Sequence, residues 1–454
     1  MRGLKSTLAL LVVLIGLGAY IYFVDRERPA TGSETREKVF AVEADKIQEI
    51  RITSGEETSV LKKVDGNWRM IEPVEADADQ TETSSLTSNL STLELNRVVE
   101  ENAADLSQYG LADPAVAVAF KADGDVSGQL ALGDKTPTAS DLYAVRPGEK
   151  KVFAVSAFLE STFNKKPFDL RDKRALKFER DKVDSVEIAQ GSTKLVLARA
   201  GTEWTVDQPV KARGDYSAIE GLLTRLSTAS MTKMVDANAS DLAKYGLVKP
   251  AITATVGMGS SRAVLLVGNE EDGQVYARDQ SRPMVFAVDP TLLTDLKKGV
   301  EDYRDKNLFE FRPFSAARLR LTRGQDTVEL QKTPVTGENA TDKWQRVSDG
   351  STVDVEAAKM DDLLTKLSNL RAESFSATDA KTGLQAPALV VAVSFDQGKF
   401  ERVRFGRSGG DVFAAREGES GAARGDASAF DEAMKALDAL VAPSTAGTPA
   451  PSGK

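Results

Sequence analysis

Every tryptophan in this 454-residue chain falls at the same place in a recurring unit: Trp68, Trp204 and Trp344. Four further landmarks keep their order around them. A basic–acidic–Lys triplet opens each unit, as Arg36-Glu37-Lys38, Arg171-Asp172-Lys173 and Arg304-Asp305-Lys306. A turn triplet follows the tryptophan, as Tyr109-Gly110-Leu111, Tyr245-Gly246-Leu247 and Thr382-Gly383-Leu384, each trailed by a proline (Pro114, Pro250, Pro387). Then come a strand-end glycine (Gly133, Gly268, Gly406) and an aromatic strand beginning at Tyr143, Tyr276 or Phe413. Self-similarity at a fixed long period means that one supersecondary unit is built several times over. The units are assigned to residues 38–172, 173–305 and 306–441, and the low-complexity stretch 442–454 reads as a disordered tail.

Within each unit the periodicity changes in the same sequence. Ile47, Ile50 and Ile52 in the first unit, and Val186, Ile188, Leu195 and Leu197 in the second, lie in short β-like runs. Leu86, Leu90 and Leu93 then fall at i, i+4, i+7 behind Asp79, with Glu82 placed for a capping box. Asp215 precedes Ile219, Leu222, Leu223 and Leu226 in the same way, and Asp354 precedes Met360, Leu363, Leu364, Leu367 and Leu370. More strands follow the glycine turn, and a second helix closes the unit, as where Pro290 after Asp289 suits the first helical position. Strands, helix, strands, helix predicts an α+β fold: three tandem repeats of a mainly antiparallel sheet with two helices each. No Gly/Ser/Pro-rich linker separates the units, so they are expected to abut.

Residues 7–24, TLALLVVLIGLGAYIYFV, contain no charge. A helix of that length spans about 27 Å, close to the hydrocarbon thickness of a bilayer. Leu8, Leu11, Val12, Leu14, Ile15, Leu17, Tyr20, Ile21 and Phe23 are the expected membrane-anchor residues, with the aromatic ones at the far interface. A cleaved signal peptide would end in a small-x-small site, whereas this segment ends in bulky side chains. Arg2 and Lys5 precede it, so the positive-inside rule exports everything after Asp25. The expectation is a single-pass protein of the bacterial inner membrane: 1–24 the cytoplasmic N-terminus and anchor, 25–37 a polar stalk, and the C-terminal region periplasmic.

The chain has neither cysteine nor histidine, which removes disulfides, thiolate nucleophiles, imidazole or thiolate metal sites and serine–histidine triads. A net charge of −9 without a basic field argues against nucleic acid as a partner. Ser59 with Lys62 and Ser230 with Lys233 match S-x-x-K, and Lys381-Thr382-Gly383 matches K-T-G. The repeat comparison dissolves this set, because Lys381-Thr382-Gly383 is the third copy of the glycine turn and Ser59 lies inside a predicted strand. Asp77 and Asp79 suggest a D-x-D metal site, but the second unit has Arg213 and Asp215 there, so only the helix-capping member recurs. Asp134 becomes Asn269 and then Arg407, a pattern that suits a turn. The recurring Trp and Tyr residues read as core. No catalytic, metal-ligating or cofactor-binding residue is nominated.

Four motifs carry a resemblance. They are D-K-I-x-x-I-x-I from Asp45 to Ile52, G-x-W-x-x-x-x-P-V from Gly66 to Val74, A-D-L-S-Q-Y-G-L-x-x-P from Ala104 to Pro114, and L-G-D-K-T-P-T from Leu132 to Thr138. Together they resemble the bacterial domain of unknown function 4340 family. The match is closest in the first unit and weakest in the third, where Thr382 replaces the Tyr and Arg407 the Asp. The resemblance brings no catalytic residues; it implies a membrane-anchored, exported protein and points to ABC-type transport systems. The expected function is therefore an exported scaffold or binding protein, held to the lipid bilayer by residues 7–24 and accessory to an envelope protein or ABC-type transporter. The alternative is a carboxylate-dependent envelope glycan hydrolase, for which one unit should hold polar residues that its sisters lack. The third unit, as the most diverged, is where such a site is expected.

Overall fold

A computed structural model describes residues 37–333, 342–348, 351–376, 381–396 and 398–442. The expected anchor residues, all but the last of the stalk, and the tail from 443 lie outside them. No helix of the described residues is long and apolar enough to cross a membrane.

The first repeat is one nine-stranded sheet. Its strands are β1 (Ile47–Ser54), β2 (Glu57–Val64), β3 (Asn67–Glu72), β4 (Ala76–Asp77), β5 (Arg97–Glu100), β6 (Val116–Ala122), β7 (Ser127–Lys135), β8 (Asp141–Val145) and β9 (Val152–Ser156). They lie in the order β4-β3-β2-β1-β6-β7-β8-β9-β5. Every pairing is antiparallel, so β4 and β5 are the edges. The second and third repeats form nine-stranded sheets of the same order. By packing, the chain divides into two compact units, Met1–Lys173 and Arg174–Lys454, the second holding the second and third repeats.

Side-chain alternation gives the first and second sheets two covered faces. On one face Ile47, Ile50, Ile52, Leu130 and Leu132 pack with Leu86 and Leu90 of the helix Gln80–Thr92, and with Leu159 and Phe163 of the helix Leu159–Phe163. On the other, Ala131, Val145 and Val152 meet Leu111 and Tyr109, so the glycine turn is the lid of a second, smaller core. The second repeat repeats this with Tyr245, Leu247, Leu266 and Val285.

Two recurring landmarks turn out to be one contact. A Cβ on Gly133 would stand 2.1 Å from the carbonyl oxygen of Tyr109, one on Gly268 2.3 Å from that of Tyr245, and one on Gly406 2.5 Å from that of Thr382. The turn's backbone thus lies flush on the strand, which only glycine allows. Gly110, Gly246 and Gly383, at φ of 69°, 68° and 70°, supply the left-handed residue that ends each turn. The tryptophans are the third shared device: Trp68, Trp204 and Trp344 are buried on the third strand, and their carbonyls accept from Ala78, Gly214 and Val355 at 3.2, 2.8 and 2.9 Å.

Three sequence expectations need correction. Main-chain pairing puts Val39, Ala175 and Leu308 in one position, bonded to Leu93, Ala229 and Leu370. Glu37 therefore corresponds to Lys306, and the triplet Arg36-Glu37-Lys38 runs one residue later than Arg304-Asp305-Lys306. Asp354 does not cap its helix; Glu356 stands at that position without a capping bond, and Asp354 ends an edge strand, Ser351–Asp354. Asp79 does cap, accepting from Thr81 and Glu82, but Glu82 turns its carboxylate to Lys165 at 3.0 Å, so the box is half made. The Asp79 amide that the box would bond donates instead to the Leu170 carbonyl at 2.9 Å.

Glycine substitution separates these roles. Gly268→Ala is expected to destabilise the protein by about 1–3 kcal/mol through overpacking. Gly221→Ala, on an open helix surface, should stabilise it by about 0.5–1 kcal/mol. Urea unfolding followed by tryptophan fluorescence measures both.

Candidate functional site

A polar cluster unlike anything in the sister repeats lies in the third. Glu401 sits on the strand Lys399–Ser408 with its side chain fully buried. In the first two repeats the same place on the strand, five residues before the strand-end glycine, holds Gly128 and Ala263. The Glu401 carboxylate accepts from the Glu310 and Phe311 amides, each at 3.0 Å, and stands 2.8 Å from Arg416 Nη1 as an ion pair. A buried carboxylate survives only with such a full set of partners.

From this pair the charges alternate outward. Arg416 also reaches Glu310 at 3.3 Å, and Lys399 Nζ donates to Glu310 at 2.7 Å. On the other side Arg416 Nε lies 3.8 Å from Glu419, whose Oε1 accepts from Arg213 Nε at 2.7 Å. Arg213, on the short strand Ala212–Arg213 of the second repeat, pairs with Asp305 at 3.0 Å and donates to the Asn307 carbonyl. Arg304 lies 3.7 Å over the Phe375 ring and donates to the Ser420 carbonyl at 3.3 Å. It is 6% exposed, and its Nε has no acceptor among the described residues. The second and third repeats are thus joined through main chain and charge together.

The electrostatics favour the ionised form of Glu310. Burial pushes the Glu310 carboxyl up, but the Lys399 hydrogen bond and the charges of Lys399, Arg416 and Arg213 outweigh it and hold it below the ordinary carboxylate range. Burial pulls the Arg304 guanidinium down, opposed by Glu419 and Glu301. Glu310, so held, is not arranged to keep a proton for general-acid work. The cavity lined by Arg213, Arg304, Asp305, Phe375, Arg416 and Glu419 is about 20 Å³, room for a water molecule and not for a sugar.

The family-motif residues gather elsewhere. In the first repeat Gly110, Asp113, Gly133, Asp134, Lys135, Glu160 and Asn164 line an open surface cleft of about 440 Å³. Its charged pair is Lys135 with Glu160, at 2.7 Å. Asp134 faces the turn: a Cβ on Gly110 would stand 2.6 Å from its Cγ. Tyr109 and Tyr245 are packed edge-on against Tyr143 and Tyr276, and their hydroxyls donate to Glu100 and Asp236. Lys381-Thr382-Gly383 is a loop, and Ser59 is buried in β2 with no hydrogen-bond partner for its hydroxyl among the described residues, so neither has the setting of a nucleophile. Among the described residues no group of three metal-competent side chains converges.

Motif reading missed Glu401. A signal existed: Val403 and Phe405 are inward-facing on the same strand, and the residue two before Val403 must face inward too.

These features define a class, a tandem α+β repeat whose second and third sheets are joined through ionic junction residues. The family profile described as "Domain of unknown function (DUF4340)" matches residues 68–208 and 204–387, and the chain belongs to that family. No curated protein matches the chain. Among solved structures, one described as the crystal structure of the DNA polymerase sliding clamp from Pseudomonas aeruginosa with ligand covers 85% of this chain and 92% of its own. The identity is 9% and the TM-score 0.16, at which no shared fold follows.

Glu401→Gln should lower the stability of the Arg174–Lys454 unit by about 3 kcal/mol or more, because it leaves Arg416 buried beside a neutral group. Lys399→Gln, at the exposed end, should cost no more than about 1 kcal/mol. Urea midpoints read both. Because the folded pKa of Glu310 is lowered, its contribution is complete above the unfolded value, about 4.3, and lost as pH falls through the folded value. Glu310→Gln should therefore flatten the fall in stability below about pH 4.3, as followed by acid titration.

Proposed function

We propose that this chain is a membrane-anchored, exported scaffold that holds a partner of the cell envelope, in the setting of an ABC-type transport complex. The observation that carries this reading is the use made of the polar cluster. The buried charged groups that a hydrolase would need are directed at one another and at the junction of two repeats. They leave space for one water. A charge-locked junction fixes two similar surfaces at a set distance, which multiplies contact with a repetitive or multi-site partner. Exposed aromatic side chains offer contact points, notably Phe314 at 76% and Phe400 at 56% exposure, both at the same end of the third sheet. The uncharged segment 7–24 with Arg2 and Lys5 before it supports an anchor with the repeats outside the cytoplasm.

The test is site-specific photo-cross-linking in the living cell from Phe314 and Phe400, with partners identified by mass. One dominant envelope-protein adduct, lost on moving the cross-linker to the buried Phe405, is the expected result. A spread of nonspecific adducts together with glycan hydrolysis by the purified chain would sink the scaffold reading. A reporter fused after Lys454 should be active only outside the cytoplasm.

A further inference from the structure

The face of each sheet turned away from its main core differs in charge among the repeats. On the three central strands of the first it carries Glu49, Arg51 and Lys121, and on those of the second Glu187 and Arg262, so both signs are present. The third carries Arg318, Arg320, Arg402 and Arg404 and no carboxylate. Arg404 marks the change most clearly. Two residues before the strand-end glycine, it stands where Ala131 and Leu266 pack with the tyrosine of the turn. The third turn has Thr382 in place of that tyrosine.

These arginines wall a trough. Cross-strand pairing sets Arg318 and Arg320 on one side of the strand Leu389–Phe395, and Phe400, Arg402 and Arg404 on the other. The strand between them offers only Ser394, Ala392 and Val390 as a floor. The walls are two strand spacings apart, about 10 Å, and successive arginines along each wall are two residues apart, about 7 Å. Their charge is only partly compensated. Arg320 Nε donates to Glu329 at 2.7 Å, and Arg402 Nε lies 3.9 Å from Glu417 with its guanidinium over the Phe400 ring. Arg318 donates to the neutral Gln331 at 3.0 Å, and Arg404 has no hydrogen-bond or ion-pair partner among the described residues. All four arginines are exposed, as is Phe400 beside them.

We propose that this trough seats an extended acidic segment of the partner protein, with carboxylates at alternate positions. Side chains two apart on an extended chain recur at about 7 Å, the interval of the arginines. Guanidinium forks bind carboxylates bidentately, and Phe400 offers an apolar contact at one end. Headgroups in a fluid lipid layer keep no such interval. The proposal rests on the scaffold reading for its protein partner and names that partner's chemistry.

The probe is a fluorescein-labelled peptide of alternating glutamate and threonine, titrated at low salt into the purified full chain in detergent and followed by anisotropy. Saturable binding is expected, weakened about tenfold or more by Arg318→Glu with Arg404→Glu and about twofold by Arg404→Gln alone. The same reversal at Arg51 and Lys121 of the first sheet should leave it unchanged, and urea midpoints check that every variant stays folded. A peptide of the same composition with its glutamates in one block should bind more weakly. Absence of binding, equal loss with Arg51→Glu and Lys121→Glu, or indifference to glutamate spacing overturns the trough. Flotation on phosphatidylglycerol vesicles that Arg318→Glu with Arg404→Glu abolishes, without peptide binding, assigns it to lipid instead. In the cell, an envelope-protein adduct from Phe400 that survives this reversal overturns the trough and leaves the scaffold reading standing. Peptide binding without a dominant adduct keeps the trough and counts against the scaffold reading alone.

Discussion

The pairing that most of the higher-order structure depends on is a two-bond main-chain bridge at the edge of each of the first two sheets. In the second repeat it is Asp215 to Tyr303 and Asp305 to Arg213. Neither bond is strong; each contributes about 1 kcal/mol net. Their weight comes from position. The bridge brings Arg213 against Asp305 and Glu419, brings Arg304 over Phe375, and so decides which side chains of the second and third repeats meet. It also removes one of the two exposed edges that a nine-stranded antiparallel sheet would otherwise present.

Only the Arg213 end of the ionic cluster lies beside the bridge; Glu401, Arg416, Glu310 and Lys399 belong to the third repeat alone. Replacing a buried ionic network by apolar residues of equal volume is often neutral or favourable, so the network is better understood as a specificity device than as a source of stability. Glu401 would be costly against the wrong neighbour and is satisfied only by Arg416 and the Glu310 and Phe311 amides. The third repeat, with a carboxylate where the first has Gly128 under the Phe40 and Phe120 rings, exchanges a small aromatic contact for an ionic one. This divergence has no counterpart in the glycine turn, where the close approach of backbone to backbone tolerates no side chain.

Read from the sequence, Asp77 and Asp79, Ser59 and Lys62, and Lys381-Thr382-Gly383 each suggested chemistry, and comparison of the repeats returned each to a cap, a strand or a turn. Asp79 shows why this works: its capping bonds to Thr81 and Glu82 are local and recur with the fold. Asp354 shows where it fails. It has the type and spacing of a cap, but the edge strand runs on through it and moves the helix start to Glu356. The shift of Arg36-Glu37-Lys38 by one residue was equally invisible, because residue types matched while the main-chain register did not.

The sequence alone determined the number of repeats, their α+β class, the buried tryptophans and the glycine of each turn. These depend on interactions between residues near one another in the chain, or on a steric limit that allows a single residue type, and both leave a mark that recurs with the repeat. Only the tertiary structure decided that the turn and the strand-end glycine are two halves of one contact. It also decided that Glu401 lies inside, and that Arg213 is shared between two repeats. The last two join residues far apart in the chain, as Arg213 joins Glu419, and appear once rather than in every copy. A buried charge is recognisable only by its partners, and the partners are chosen by the packing.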